Sequence, residues 1–161
     1  MRETVRLRRA DAADQDEILA FQRAAIAAIP AGAYAADVSE AWSHTPVSGL
    51  EDLLAKGRYF VAVDGSRPVG GAGWAPVEDG ETAQIRGVFV HPDHAARGLG
   101  SRLVDAAEDA AVTDGYTKIV VPAALSAVGF YEQLGYAKKE LDWFPLGGLR
   151  LDYAKMEKLA A

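Results

Sequence analysis

The first place where residue type and spacing suggest chemistry is Ala95-Ala96-Arg97-Gly98-Leu99-Gly100-Ser101. A β-rich apolar run, Ile85 to Val90, leads into it through Pro92, and a helical pattern begins at Leu99. The first N–H groups of a helix lack intrahelical partners and carry the positive end of its dipole. Glycines at such a point let a phosphate approach the backbone. The stretch is therefore a candidate anion cradle. A tight turn needing positive φ is the plainer alternative for Gly98-Leu99-Gly100. Two nucleotide motifs fail here. A dinucleotide fingerprint begun at Gly98 needs glycine where Leu103 stands, and a P-loop needs lysine where Ser101 follows Gly100. Hydride transfer and nucleotide hydrolysis are disfavoured accordingly.

Other reactive side chains are sparse. The chain has no cysteine, which removes disulfides, thiolate metal sites and a cysteine nucleophile. His91 and His94 stand three apart with His44 remote, too thin a ligand set for a metal; none is expected. Tyr131 shares a helical face with Ala127 and Leu134, and by spacing alone it reads as core. Tyr34, Trp42 and Trp74 are candidates to line a substrate pocket, although large aromatics more often pack the core. The Arg6-Leu7-Arg8-Arg9 run reads as the solvated face of a strand.

At 161 residues the chain is long enough for one domain with a sizeable core, so residues 1–161 are taken as a single domain. A net charge of −6 argues against a broad nucleic-acid surface, and no nucleic-acid partner is expected. The N-terminus lacks a secretory apolar core, and no apolar run approaches the ~20 residues that span a bilayer. A cytoplasmic protein without a membrane partner is the expectation.

The elements that must position the cradle follow from periodicity. Val5 and Leu7 alternate with arginines as in an edge strand. Asp11 is placed to cap a helix carrying Ile18, Leu19, Ala25, Ile26 and Ile29, ended near Pro30. Residues 30–50 suggest short helical pieces and loops, with Ser48 as cap of a helix holding Leu50, Leu53 and Leu54. Tyr59–Val63, Pro68–Trp74 and Thr82–Val90 read as three strands joined by Gly-containing turns. The glycines of the second suggest a bulge or a close backbone approach. A helix over Leu99–Val112, a strand over Thr117–Val121 ended by Pro122, a helix over Leu125–Leu134 and two final strands complete the chain. The order β-α-α-β-β-β-α-β-α-β-β predicts an α+β fold, a mixed and mostly antiparallel sheet flanked by helices.

Two motifs at this separation resemble the GCN5-related N-acetyltransferase (GNAT) superfamily. One is the strand ending near Pro92 with Ala95-Ala96-Arg97-Gly98-Leu99-Gly100 opening a helix. The other is Ala127-Val128-Gly129-Phe130-Tyr131-Glu132-Gln133-Leu134-Gly135-Tyr136. The resemblance implies an N-acetyltransferase fold using acetyl-CoA as donor. It implies that the amides of Ala95, Ala96, Arg97, Gly98, Leu99, Gly100 and Ser101 hold the pyrophosphate. It places the pantetheine arm along Val88, Phe89 and Val90, with an irregularity in that strand at Gly87. It gives Tyr131 contact with the cofactor and the task of protonating the departing thiolate.

The chain departs from the family pattern at four places. Ala95 stands where a Gln or Arg is usual, with Arg97 or Arg102 as substitute charge, and Ala96 stands where glycine is often found. Ala124 stands where an asparagine is common. Gln84 stands where many relatives carry a basic glutamate, leaving water relays to Glu78, Glu81, Glu40 or a histidine. The implied activity is direct acetyl transfer to a primary amine of a small molecule or peptide. Residues 30–50 and 137–150 are expected to form the acceptor pocket. A homodimer is a further expectation from the family. A non-catalytic acyl-CoA-binding module is the alternative that Gln84 and Ala124 motivate, and transfer of a longer acyl group is a third reading.

Overall fold

A computed structural model describes residues 5–160; the first four residues of the N-terminal segment and the last residue lie outside it. Seven strands form one sheet in the order β1-β2-β3-β4-β5-β7-β6. They are β1 (Val5–Arg9), β2 (Tyr59–Asp64), β3 (Arg67–Pro76), β4 (Thr82–Val90), β5 (Lys118–Ala124), β6 (Ala137–Leu146) and β7 (Leu149–Leu159). Every pairing is antiparallel except β4 with β5. The helices are α1 (Gln15–Ala27), α2 (Ala36–Ser43), α3 (Leu50–Ala55), α4 (Leu99–Thr113) and α5 (Val128–Gln133). Three helices therefore precede β2, one more than the expected order held. The added one, α2, has no buried residue and no side-chain cap, so it shows little periodic signal. Among the described residues no helix is long and apolar enough to cross a membrane.

The sheet has an apolar cluster on each face. Ile18, Phe21, Leu50 and Leu53 from α1 and α3 pack with Tyr59, Val61 and Val63. Leu103, Val104, Ala107 and Ala111 of α4 pack with Ile85, Ile119 and Met156, joined by Tyr131 of α5. Asp11 does cap the first helical turn: its carboxylate accepts from Ala13 N–H, while Asp14 accepts from the Asp11 N–H at 2.9 Å. Asp14 also takes both terminal nitrogens of Arg8, at 2.8 and 2.9 Å. The Arg8 hydrogen bonds hold the Asp14 carboxyl below the usual carboxylate range.

Three local expectations change. Ser48 does not cap α3; Gly49 does, at φ +69, and the Ser48 carbonyl faces Arg86 instead. Pro122 does not end β5, which runs on to Ala124 along β7. The β4 ladder stops at Val120, so the proline removes no bond on that side. The last helix opens as a 3-10 turn, Leu125–Ala127, before α5.

Two of the β3 glycines, Gly71 and Gly73, are explained by one side chain. Tyr59 is fully buried and its ring lies across both strands. A Cβ on Gly71 would stand 2.4 Å from that ring, and one on Gly73 would stand 2.6 Å away. The expected bulge is there too, as a register shift between Gly71 and Gly73 opposite β4. Gly71→Ala is expected to destabilise the fold by about 1–3 kcal/mol through overpacking, read as a lower urea midpoint at unchanged slope.

Candidate functional site

The parallel pairing of β4 with β5 is short. It covers Thr82, Ala83 and Gln84 against Lys118, Ile119 and Val120. Beyond it the strands part, and a cleft of about 630 Å³ opens between them. At Gly87, φ +64, two β4 residues oppose Ala72 alone. The Tyr59 hydroxyl donates to the Gly87 carbonyl at 2.6 Å and holds the irregularity in place. β4 residues 85–90 therefore run past β5 with the edge facing the cleft unpaired.

Val88, Phe89, Val90 and Tyr131 all line this cleft. Ala95–Ser101 does not; it lies past the end of β4, where a 3-10 turn (Pro92–His94) leads to α4. Gly98 is the N-cap of α4 at φ +78, and no side chain caps the helix. The Leu99, Gly100 and Ser101 amides are thus first-turn donors without intrahelical acceptors. Leu99 itself is buried, so only its backbone is available. The Ala95 N–H closes the turn onto the Pro92 carbonyl at 3.2 Å, so this amide is engaged within the turn. Ala96 sits at φ +62, alone among described non-glycine residues in that region. A left-handed alanine costs about 1–2 kcal/mol, partly offset by glycine's greater unfolded freedom. Ala96→Gly should therefore raise stability by roughly 0.5 kcal/mol in chemical denaturation.

Tyr131 is 4% exposed. Its ring meets Phe130 at 4.9 Å and Tyr136 at 5.6 Å. It is packed in the α4-side core, as its spacing suggests, and it also lines the cleft. Its hydroxyl has no hydrogen-bond partner among the described residues, and burial pushes it well above the ordinary tyrosine value.

The segment 30–50 and the β6–β7 hairpin form the opposite wall, the hairpin through residues 144–146 and also through 151–153, which lie beyond the expected 137–150. Tyr34 accepts from Leu125 N–H at 2.8 Å and donates to the Asp152 carbonyl at 3.0 Å. It so ties the end of β5 to β7. Trp42 stands between Tyr34 and Phe89, at centroid distances of 5.6 and 6.0 Å. Phe144 and Tyr153 pair at 4.7 Å. Gln22 of α1 donates to the carbonyls of Trp42 and Thr45, anchoring this wall.

Trp74 is not part of the cleft: it is buried against Tyr116 and Arg58 on the α4 face. Glu78, Glu81, Glu40 and the histidines do not line the cleft either. Glu81 stands at the far end of β4 beside Asp79, and Glu40 lies beside His44. His91 Nδ1 accepts from Asp93 N–H, and His94 Nε2 contacts Asp64 at 2.9 Å. Gln84, Ala124 and Tyr34 do line it.

Two charged lining residues belong to no sequence motif, Arg86 and Asp152. Arg86 carries a readable signal all the same: a cation two residues after Gln84 in an apolar strand shares its face. Asp152 sits in an unremarkable polar alternation and has no such signal.

A model of the acetyltransferase (GNAT) family matches residues 24–136. An uncharacterised N-acetyltransferase of Bacillus subtilis, YjcF, is 30% identical over 87 residues, covering 54% of this chain and 61% of that protein. The chain thus spans less than two thirds of that relative's length. Its fold is similar to that of a GCN5-related N-acetyltransferase from Rhodopseudomonas palustris, with TM-score 0.80, 27% identity and coverage of 99% and 98%. It is also similar to a PaiA N-acetyltransferase from Thermoplasma acidophilum solved with coenzyme A, with TM-score 0.76, 17% identity and coverage of 97% and 99%.

Proposed function

We propose that this chain, which belongs to the acetyltransferase (GNAT) family, moves an acetyl group directly from acetyl-CoA to a primary amine. The observation that carries the reading is the opening between β4 and β5. It leads from Tyr131 and the acceptor wall along a free β4 edge towards the uncapped N-terminus of α4. That arrangement suits an elongated ligand with an anionic end. The first-turn amides of α4 receive the pyrophosphate, by the helix-terminus chemistry that favours anions. The β4 edge at Val88 and Val90 pairs with the pantetheine arm, with Phe89 between them.

Acetyl-CoA supplies the activated acyl group as a thioester. The β4 backbone at Val88 donates to the acyl oxygen as negative charge grows there. Tyr131, kept neutral by burial, delivers its proton to the departing sulfur. No cysteine is present for an acyl-enzyme, which favours a single direct transfer. Gln84 accepts no proton usefully, so the amine loses its proton through water. The rate should then climb with pH towards the amine's own pKa.

Calorimetry with acetyl-CoA, followed by thiol release over a panel of amines, tests the reading. Binding with amine-dependent thiol release is expected. Binding with no turnover over a broad panel would favour the non-catalytic module that Gln84 motivates.

A further inference from the structure

Among the described residues Arg86 is the one cation lining the cleft, and it is poorly matched. Its Nε donates to Gln84 Oε1 at 2.6 Å, and its Nη1 reaches the Ser48 carbonyl at 3.4 Å. No carboxylate of the described residues lies within ion-pair distance of it. Asp52 acts on it only from a distance, and partial burial works against its charge. A half-buried guanidinium satisfied by two neutral oxygens is costly unless something else neutralises it.

Gln84 sharpens the point. A guanidinium N–H can only donate, so the amide oxygen of Gln84 is the atom turned to Arg86. The Gln84 NH2 has no acceptor among the described residues, and Gln84 lines the cleft as well. A carboxylate at position 84 would have neutralised Arg86. Glutamine instead leaves the positive charge unbalanced and adds a second donor beside it. Two donors on one strand face suit the two oxygens of a carboxylate. The wall also carries the aromatic rings of Tyr34, Trp42, Phe89 and Phe144, with aliphatic side chains such as Ile26, Ile29 and Leu146 among them and Asp152 as its one carboxylate among the described residues.

We infer that the acceptor is a small amine that also carries a carboxylate, seated on Arg86 and Gln84 with its apolar or aromatic substituent against that wall. This rests on the acetyltransferase reading and names the class of its acceptor. The protein's net charge of −6 points the other way, towards a cationic acceptor. The cleft's other lining charge, Asp152, faces Arg150 at 3.4 Å, so the unmatched lining charge is that of Arg86, and surface charges beyond about 10 Å are screened.

Matched pairs test the inference: phenylalanine against phenethylamine, tryptophan against tryptamine, leucine against isoamylamine. Binding to the CoA-loaded protein is measured by calorimetry, and transfer by thiol release. The carboxylate member of a pair should bind about 10- to 100-fold tighter, the worth of hydrogen bonds to a charged group. Arg86→Gln should erase that margin, and Gln84→Glu should erase it too, by pairing with Arg86 instead of deleting it. Agreement of the two variants separates ligand recognition from a mere anchoring of the Ser48 turn, which Gln84→Glu leaves in place. Equal or weaker binding of every carboxylate member overturns the inference, with or without turnover. Turnover confined to the decarboxylated amines also overturns it and leaves the acetyltransferase standing. Failure of acetyl-CoA itself to bind would instead remove the reading beneath it.

Discussion

Replacing Tyr131 by phenylalanine should lower kcat about 100-fold while acetyl-CoA affinity changes less than about 3-fold, since a positioned acid contributes ~10²–10⁴ in rate. The ring stays, so the contacts with Phe130 and Tyr136 and the packing of α5 survive. Only the hydroxyl is lost, and it has no partner among the described residues whose loss would disturb the fold. The pH profile adds a second readout. A required acid fails as pH rises through its pKa, and burial raises that of Tyr131. The alkaline limb of the wild-type enzyme should therefore lie above the ordinary tyrosine value of about 10. The variant should lose that limb. Unchanged kcat with the best amine, or a limb near neutral pH that survives the substitution, would remove Tyr131 from the reaction.

Gly87→Ala should destabilise the protein by about 2–5 kcal/mol, the sum of left-handed strain and overpacking. The added Cβ would stand 2.7 and 2.8 Å from the Val47 methyls and 3.2 Å from the Tyr59 ring. Since φ is +64, alanine is strained there even with room to spare. Such a loss is a large part of a typical stability of about 5–15 kcal/mol. Relief of the strain requires β4 to straighten, which moves Val88 and Val90 relative to the cleft. Activity should fall at least about 10-fold in whatever fraction stays folded, as expected when a backbone donor is displaced. The double variant with Val47→Ala separates the causes. It should recover the overpacking part, about 1–3 kcal/mol, and leave the backbone strain. Denaturation showing Gly87→Ala as stable as the wild type would mean that β4 does not need the irregularity.

Both predictions concern positions that the amino-acid sequence itself singles out. The strand Thr82–Val90 has the same limits in sequence and fold, because its β-branched run is bounded by a turn and by Pro92. Helix α4 is legible from its alanine-rich periodicity and from Gly115 beyond its end, where φ is +101. The family follows from two local motifs, one in the turn and first residues of α4 and the other through α5, and each is positioned by its neighbours in sequence. The departure of Gln84 from a base-bearing pattern is equally legible, as is the share of residues 30–50 in a pocket.

What sequence determined by itself, then, is local: most strand, turn and helix limits, the absence of a cysteine nucleophile, and the helix start at Gly98–Gly100. Tertiary structure decided which side chains share the cleft. Trp74 and Trp42 look alike as residues, yet one is packed under α4 and the other faces the opening. Pro122 reads as a stop but continues β5, because the neighbouring strand has already parted from it. The pairing of Tyr34 with Leu125 and Asp152 joins residues 91 and 118 positions apart. Arg86 acquires its meaning only when Ser48 and Gln84 supply neutral oxygens and no carboxylate arrives. Periodicity reports which face of an element is apolar; it does not report what another element brings to that face.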